Sequence, residues 1–170
     1  MVSCFRSVIL SVFVLALSSA AVAEDLVEKV CQRDPDYQFC LTTLRSNRGT
    51  ADADRYTLAA LAFQMAFADA KGGLDYIDSL LKNSSVTPIV RGRLQQCRGD
   101  YDNATLKYIQ AGNDINSETY DTLGGYATDA GKDADDCKSA FEGKASPVDD
   151  NNRNLKGYSQ IGIAVASLFT

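Results

Sequence analysis

The sequence predicts an all-α protein: an up-down-up-down four-helix bundle with an N-terminal helical hairpin extension and two disulfides. Apolar residues recur at steps of three and four in four long segments, which is the periodicity of one helix face. No segment alternates apolar and polar residues as a half-buried strand would, and a mixed α/β fold is the alternative. Four cysteines follow the N-terminal apolar segment, and an even number in a secreted chain indicates two disulfides.

The N-terminus has the pattern of a secretory signal peptide over residues 1–23. Arg6 gives a basic start, Val8 to Leu17 is almost wholly apolar, and Ala21-Val22-Ala23 is a small-residue cleavage site. The apolar core is too short to span a bilayer, so we expect cleavage at the end of this segment. A buried N-terminal helix or an uncleaved anchor is the alternative. The mature chain, 24–170, suits one domain.

The first segment of the mature chain, 24–48, predicts a small helical hairpin. Asp34-Pro35 breaks the apolar pattern, since proline cannot continue a helix. Cys31 and Cys40 flank the break, and a disulfide between them would close the hairpin. We expect the hairpin to precede the bundle and to pack against one end of it.

The bundle is predicted over 52–170, with its first helix over 52–82. The apolar stripe of this helix consists of Ala59, Phe63, Ala66, Ala70, Leu74, Ile77 and Leu81. The stripe continues through Gly72-Gly73, so we interpret the segment as one long helix in which each glycine costs about 1 kcal/mol.

The second bundle helix is predicted over 88–111. Thr87 is placed to cap it, Pro88 suits the first helical position, and Gly112 suits its end. Its stripe consists of Val90, Leu94, Cys97, Tyr101, Ala104, Tyr108 and Ala111. These steps of three and four are the pattern of helices that pack in a bundle.

The third and fourth bundle helices follow the same rule. The third carries the stripe Tyr120, Leu123, Ala127, Ala130, Ala134, Cys137 and Phe141. Gly143 is predicted to end it, and Pro147 follows. The last helix is predicted over 150–168, with Tyr158, Ile161, Val165 and Leu168 on its apolar face.

The other cysteine pair follows from the helix faces. Cys97 and Cys137 each occupy the apolar stripe of their helix, and consecutive helices in such a bundle are antiparallel neighbours. If the two residues face each other, the turn is centred midway between them, at Ser117. That residue lies in the turn-like stretch 113–118. We therefore predict a Cys97–Cys137 disulfide.

The composition disfavours catalysis. The chain has 22 acidic and 17 basic residues, a formal net charge of −5, and no histidine. We therefore expect no nucleic-acid partner, no membrane partner, no metal and no cofactor. Catalytic groups built on histidine are excluded. The cluster Asp133, Asp135 and Asp136 is interpreted as a solvated face rather than an acid–base site.

Three groups of residues are similar in type and spacing to one protein family. They are Cys31, Asp34-Pro35, Tyr37, Phe39-Cys40, Leu41 and Leu44; then Leu94, Cys97 and Tyr101; then the run from Tyr120 to Ala127 with Ala130, Cys137 and Phe141-Glu142-Gly143. On these residues almost the whole mature chain resembles the plant invertase and pectin methylesterase inhibitors. The resemblance implies a protein that acts in the cell wall by capping the active-site cleft of a carbohydrate-active enzyme, non-covalently and one to one.

The resemblance favours one target over another. Invertase inhibitors of this family commonly carry a Pro-Lys-Phe element before the third bundle helix, where this chain has Tyr120-Asp121-Thr122. The sequence therefore favours pectin methylesterase as the partner, with acid invertase as the alternative. A secreted helical structural protein with no enzyme target is the alternative of another class, because a fold does not fix a function.

Candidate target-binding residues lie on the middle helices of the bundle. Residues three and four apart share one helix face, which groups three of them on the second helix. The candidates are Asp100, Asn103 and Lys107, with Tyr120, Asp121 and Thr128 on the third helix. Asn83-Ser84-Ser85 and Asn103-Ala104-Thr105 are N-glycosylation sequons. We expect a secreted protein of the extracellular cell-wall space, the apoplast.

Overall fold

A computed structural model describes residues 25–170 and shows an all-helical architecture. Its helices are α1 (Leu26–Cys31), α2 (Tyr37–Ser46), α3 (Arg55–Lys82), α4 (Pro88–Asn116), α5 (Leu123–Ala140) and α6 (Asp149–Ala166), with a short 3₁₀ helix at Arg48–Thr50. The predicted signal peptide, 1–23, lies outside the described residues. No helix within 25–170 is both long and apolar enough to span a membrane.

The four long helices form the predicted bundle. Each of α3, α4 and α5 packs against the next helix along the chain, and α6 packs back against α3. The apolar stripes meet in one core, and the largest fully buried side chains in it include Tyr101, Tyr108, Phe63, Leu58 and Ile77. The all-α prediction is therefore confirmed, because each stripe of three- and four-residue steps finds a neighbouring helix to cover it.

The N-terminal hairpin forms as predicted but lies elsewhere. A disulfide joins Cys31 to Cys40 with their Cα atoms 5.5 Å apart. The ring of Phe39 packs edge-on against Tyr158, with ring centroids 5.9 Å apart. Arg33 donates to the hydroxyl of Ser167 at 2.6 Å. The hairpin thus lies along α6, and the expectation that it packs against one end of the bundle was wrong.

Helix α3 is continuous through its two glycines. The carboxylate of Asp54 accepts a hydrogen bond from Thr57 N at 2.7 Å, which caps its start. Gly73 is buried beneath the ring of Tyr101, and a Cβ there would lie only 2.3 Å from a ring carbon. Gly73 therefore lets α4 approach α3, and the packing offsets the poor helix propensity of glycine.

Helix α4 begins as predicted and ends later. The hydroxyl of Thr87 accepts from Val90 N, and Pro88 is the first helical residue. Gly112 does not end the helix, which runs to Asn116. Its end is a Schellman motif: Glu118 has a φ of 56°, and Thr119 N donates to the Asp114 carbonyl at 2.8 Å. The prediction of an end at Gly112 was wrong because capping, rather than the first glycine, terminates the helix.

Helix α5 starts three residues after Tyr120, so the prediction that Tyr120 opens the third stripe was wrong. The Tyr120 ring instead stacks on Phe169, with centroids 4.3 Å apart. The chain then turns into α5 while the hydroxyl of Thr122 donates to the Asp114 carboxylate at 2.7 Å. Past the helix, Glu142 and Gly143 both have positive φ, so the helix ends before Gly143.

A buried polar network surrounds the second disulfide. Cys97 and Cys137 are bonded, with Cα atoms 4.4 Å apart, which is the pair that the helix faces predict. The side-chain amide of Asn152 on α6 donates to Cys137 Sγ at 3.1 Å and accepts from the hydroxyl of Tyr101 at 3.0 Å. These bonds connect α4, α5 and α6 at one level of the core. Such a satisfied network fixes the register of the three helices.

Asp69 gives the fold a pH-dependent stability. Burial raises the pKa of Asp69 from 3.8 to about 6. Burial, and then the charge of Asp69, raise the pKa of the Tyr101, Tyr108 and Tyr158 hydroxyls. Because the folded pKa lies above the unfolded one, the ionised carboxylate destabilises the protein as pH rises from 3.8 through 6. We expect Asp69→Asn to raise the free energy of unfolding by about 1–2 kcal/mol at pH 7 and to change it little at pH 4. Urea unfolding at both pH values tests this, and an equal gain at both would refute it.

Candidate functional site

Several half-buried charged side chains lie where α4 and α5 run side by side. Two of the predicted residues on α4 face acidic side chains on α5 across this line of contact. We call this surface the α4/α5 face, and it consists of Asp100, Lys107, Asp129, Lys132, Asp133 and Asp136. Residues 100 and 107 flank the buried stripe of α4, and residues 129, 133 and 136 flank the buried stripe of α5. These side chains therefore lie together on one surface.

Lys107 is held by an ion pair at one end of this face. Its Nζ lies 2.8 Å from an Asp129 carboxylate oxygen and 6.0 Å from the ring centroid of Tyr126. The bond to Asp129 raises the pKa of Lys107, so the ammonium is fully charged at any physiological pH. The Tyr126 hydroxyl is itself anchored by a 3.1 Å bond to Asp114. Lys107 therefore presents a positioned positive charge beside an aromatic ring.

Asp100 occupies the middle of the face in an unfavourable environment for a negative charge. One of its carboxylate oxygens is buried and has no hydrogen-bond partner among the described residues. Burial, and then repulsion from Asp133 and Asp136, raise the pKa of Asp100 to about 6. Burial and the same neighbouring Asp136 raise the pKa of Asp133 to about 6. Both carboxyls therefore change charge in mildly acidic solution.

The face can bind a partner through both charge and hydrogen bonds. At pH 5 Asp100 and Asp133 are largely protonated and can donate hydrogen bonds, whereas at neutral pH both can only accept. The surface offers a fixed cation, two titrating carboxyls and exposed α4 side chains on rigid helices. An extended polar surface of this kind matches a protein partner through charge and hydrogen-bond complementarity.

Asn103 and Thr128 both lie on exposed surface, but they differ in what they can offer. The Asn103 side chain has no hydrogen-bond partner among the described residues. The Thr128 hydroxyl donates to the Gly124 carbonyl within α5 at 2.7 Å. Asn103 is therefore free to contact a partner, whereas Thr128 uses its hydroxyl donor inside its own helix.

Tyr120 and Asp121 belong to a separate feature at one end of the bundle. We call it the end cluster, and it consists of Arg55, Tyr56, Tyr120, Asp121 and Phe169 around a cavity of about 710 Å³. The guanidinium of Arg55 lies 4.7 Å from the Tyr56 ring centroid. The structure thus places the six predicted residues on two features: Asp100, Lys107 and the exposed Asn103 and Thr128 on the middle helices, and Tyr120 and Asp121 at this end.

The α5 carboxylates were not recognised as site residues from the sequence. The sequence predicts that Asp133, Asp135 and Asp136 together form a solvated face, but the structure separates them. Asp133 and Asp136 face α4, whereas Asp135 pairs with Lys156 of α6 at 2.6 Å. The positions 129, 133 and 136 are spaced by four and three, and that spacing was the signal that could have found them.

One group of side chains within residues 25–170 has the proximity of a metal site. The sulfur atoms of Cys97 and Cys137 and a carboxylate oxygen of Asp100 all lie within 4.8 Å of one another. Both sulfurs are joined in a disulfide, and a disulfide lacks the thiolate charge that binds zinc. This group therefore does not fit a metal centre.

The two sequons differ in structure, which gives a prediction. Asn83 follows α3 in an exposed turn, where its side chain accepts from Ser85 N at 2.9 Å. Asn103 lies in the middle of α4, and the hydroxyl of its sequon partner Thr105 is buried and bonded to the Tyr101 carbonyl. We expect Asn83 to carry a glycan and Asn103 to be largely unmodified. Peptide mass spectrometry of the secreted protein after enzymatic deglycosylation tests this, and occupancy at Asn103 alone would refute it.

Comparison with known proteins matches this chain to one family and to relatives that are named as inhibitors. A model of the family described as plant invertase/pectin methylesterase inhibitor matches residues 25–165. A pectinesterase inhibitor from Actinidia deliciosa is 31% identical, over 80% of this chain and 74% of its own length. A Platanus orientalis protein, provisionally named an invertase inhibitor, is 28% identical over 93% of this chain and 95% of its own length.

Solved structures agree with the fold. A pectin methylesterase inhibitor from Arabidopsis, in a mutant form, superposes with a TM-score of 0.75 at 19% identity, covering 84% of this chain and 95% of that one. At 19% identity this structural similarity shows the shared helical fold alone. The family match, by contrast, spans nearly all the described residues and includes both disulfides and the hairpin. The chain belongs to the plant invertase/pectin methylesterase inhibitor family.

Proposed function

We propose that this chain inhibits pectin methylesterase by docking the α4/α5 face over the active-site cleft of the enzyme, non-covalently and one to one. The observation that carries the proposal is the row of charges on this face, where Lys107, Asp100 and Asp133 are held half-buried on rigid helices. Preorganised polar groups of this kind lose little side-chain freedom on binding, which favours a specific complex.

The mechanism is steric exclusion. The bundle is held by its core and by the Cys97–Cys137 bridge, so it can fill a cleft without rearranging. The chain has no histidine, and all four cysteines of the described residues are in disulfides. We therefore propose that this chain acts by binding rather than by catalysis. The inhibitor blocks the substrate's path, and its charged face selects the enzyme.

Two observations favour pectin methylesterase. The Pro-Lys-Phe element that marks invertase inhibitors is replaced here by Tyr120-Asp121-Thr122. The Actinidia deliciosa relative, at 31% identity, is named a pectinesterase inhibitor. In the structure Tyr120 is stacked on Phe169, and the hydroxyl of Thr122 donates to Asp114, so these residues shape the entry to α5.

Acid invertase is the second candidate target. It is supported by the Platanus orientalis relative and by an Arabidopsis thaliana protein named a cell wall / vacuolar inhibitor of fructosidase, which is 24% identical over 81% of this chain. Acid invertase is a fructosidase, so both names refer to the same enzyme class. The same α4/α5 face would dock against that enzyme.

The compartment follows from the proposed signal peptide. Cleavage after residue 23 would release the mature chain, 24–170, into the secretory pathway, where both disulfides form and persist. We place the mature protein in the apoplast, where a mildly acidic pH brings Asp100 and Asp133 into their titration range. Mass spectrometry of the secreted protein would identify its first residue.

Titration of two enzymes with the purified mature protein tests the proposed function. Residual activity and complex formation are measured at mildly acidic pH for pectin methylesterase and for acid invertase. We expect stoichiometric loss of pectin methylesterase activity and a one-to-one complex on size exclusion. Inhibition of invertase alone would transfer the function to the second candidate. No effect on a panel of either enzyme would favour a structural protein without an enzyme target.

A further inference from the structure

A second cavity lies on the other side of α5 from the α4/α5 face. It has a volume of about 610 Å³, is open to solvent on one side, and is lined by α2, the end of α5, the loop that follows, and the first half of α6. The volume is within the usual range of about 300–1,000 Å³ for small-molecule and oligosaccharide sites. The face proposed for the target enzyme contributes none of its charged residues to this cavity.

The charge of this cavity is opposite to that of the whole chain. The protein has a formal net charge of −5, yet the lining contains four basic side chains. They are Lys138, Lys144, Arg153 and Lys156. Lys138 has no hydrogen-bond or ion-pair partner among the described residues. Lys144 lies 3.9 Å from Glu142, and Arg153 pairs with an Asp150 carboxylate that is 89% exposed.

The three acidic residues of the lining are already engaged. Asp135 pairs with Lys156 at 2.6 Å. Asp149 accepts from Ser146 N at 3.1 Å, and Asp36 accepts from Phe39 N at 3.0 Å as the cap of α2. Exposed ion pairs are worth only about 0–1 kcal/mol, so Lys144 and Arg153 can exchange their present partners for a ligand. Asp36 and Asp149 keep their negative charge, because a backbone N–H does not neutralise a carboxylate. The lining nevertheless has four basic and three acidic side chains, a net charge of +1, and offers Lys138, Lys144 and Arg153 to an anion.

The remaining lining favours a sugar over a peptide. Side-chain amides of Asn154 and Gln160 line the cavity, and an amide both donates and accepts, as a row of sugar hydroxyls requires. The apolar lining consists of Phe39, Ala134 and Ala145 with glycines. There is thus no deep apolar pocket for the large anchoring side chains that dominate protein–protein contacts.

We propose that this cavity binds an acidic oligosaccharide through the carboxylates of its sugar units. Lys138, Lys144 and Arg153 would pair with successive carboxylates, while Asn154 and Gln160 would bond hydroxyl groups between them. Lys156 stays paired with Asp135 and shapes the wall. Because the cavity and the α4/α5 face lie on different sides of α5, the oligosaccharide binds whether or not a target enzyme is present.

Calorimetric titration with oligogalacturonates of defined length tests the proposal. The probes are the acidic oligomer, its methyl-esterified form and poly-glutamate, each added to the mature protein at low and at physiological ionic strength. We expect saturable one-to-one binding of the acidic oligomer, weakened at least tenfold by esterification and weakened by added salt. Absence of saturable binding, or tighter binding of poly-glutamate than of the oligogalacturonate, would overturn it.

Variants with matched charge locate the site. Lys138→Gln with Lys144→Gln and Arg153→Gln should raise the dissociation constant of the oligogalacturonate at least tenfold. The control removes three exposed bases from α3 and α4, as Lys71→Gln with Lys82→Gln and Arg98→Gln, and should change it less than twofold. Equal weakening by both triple variants would show binding to net charge rather than to the cavity. Circular dichroism confirms that each variant is folded.

Discussion

Removing the Cys97–Cys137 disulfide, as Cys97→Ala with Cys137→Ala, is expected to lower the free energy of unfolding by about 4 kcal/mol. The bridge closes a loop of 40 residues, and the entropy that such a loop removes from the unfolded chain accounts for a stabilisation of about that size. The side-chain amide of Asn152 would also lose its Cys137 partner in the buried network. Urea unfolding under non-reducing conditions measures the effect.

The hairpin disulfide is the matched control. It closes only nine residues, so Cys31→Ala with Cys40→Ala should cost less, about 2.5 kcal/mol. The two variants should also loosen different contacts, because the hairpin packs mainly against α6, whereas the other bridge holds α4 to α5. A larger loss for the hairpin variant would contradict the view that the bundle bridge is the main covalent constraint.

Gly73→Ala is expected to lower the free energy of unfolding by about 3 kcal/mol. The new Cβ would lie 2.3 Å and 2.9 Å from two ring carbons of Tyr101. That ring cannot move aside, because it is fully buried and its hydroxyl is bonded to Asn152 at 3.0 Å. The gain of about 1 kcal/mol in helix propensity is therefore outweighed by overpacking and by damage to the buried network.

The adjacent glycine provides the control. Gly72 is exposed, and a Cβ there would meet nothing within 4 Å. Gly72→Ala should therefore raise the free energy of unfolding by up to about 1 kcal/mol. The two substitutions are chemically identical and one residue apart, yet their effects should have opposite signs. If both stabilise, the close approach of α3 to α4 is not as tight as described.

The bundle could be predicted because its signals are local and consistent. Cys97 and Cys137 recur in their stripes with apolar neighbours, so helix periodicity alone places them on facing sides of consecutive helices. The predicted turn at Ser117 is the C-cap of α4 in the structure. Thr87 and Pro88 likewise mark the start of that helix by chemistry that depends on adjacent residues only.

The predictions that were wrong concern features that depend on contacts between residues far apart in the chain. The sequence predicts that Gly112 ends the second bundle helix. The helix instead continues to a Schellman motif in which Glu118, not a glycine, has a positive φ. Tyr120 fits the spacing of the third stripe, but its ring stacks on Phe169, 49 positions further along the chain. The hairpin's place along α6 depends on Phe39 fitting over Gly157. Periodicity carries no information about such long-range partners.

The candidate site was predictable in part for the same reason. Asp100, Asn103 and Lys107 share a side of α4 by spacing, but their charged neighbours Asp129 and Asp133 come from another helix. The basic cavity gave no signal in the sequence, because Lys138 and Arg153 come together only when α5, its following loop and α6 fold. Sites assembled from several elements require the structure.

The inhibition constant for pectin methylesterase of an α4/α5 variant tests the central claim most directly. Asp100→Ala with Asn103→Ala removes one half-buried and one exposed polar side chain of α4, and the control, Lys71→Ala with Asp75→Ala, removes an exposed ion pair of α3. We predict that the α4 variant raises the inhibition constant at least tenfold while the α3 variant changes it less than twofold. Unchanged inhibition by the α4 variant would contradict the assignment of the binding face.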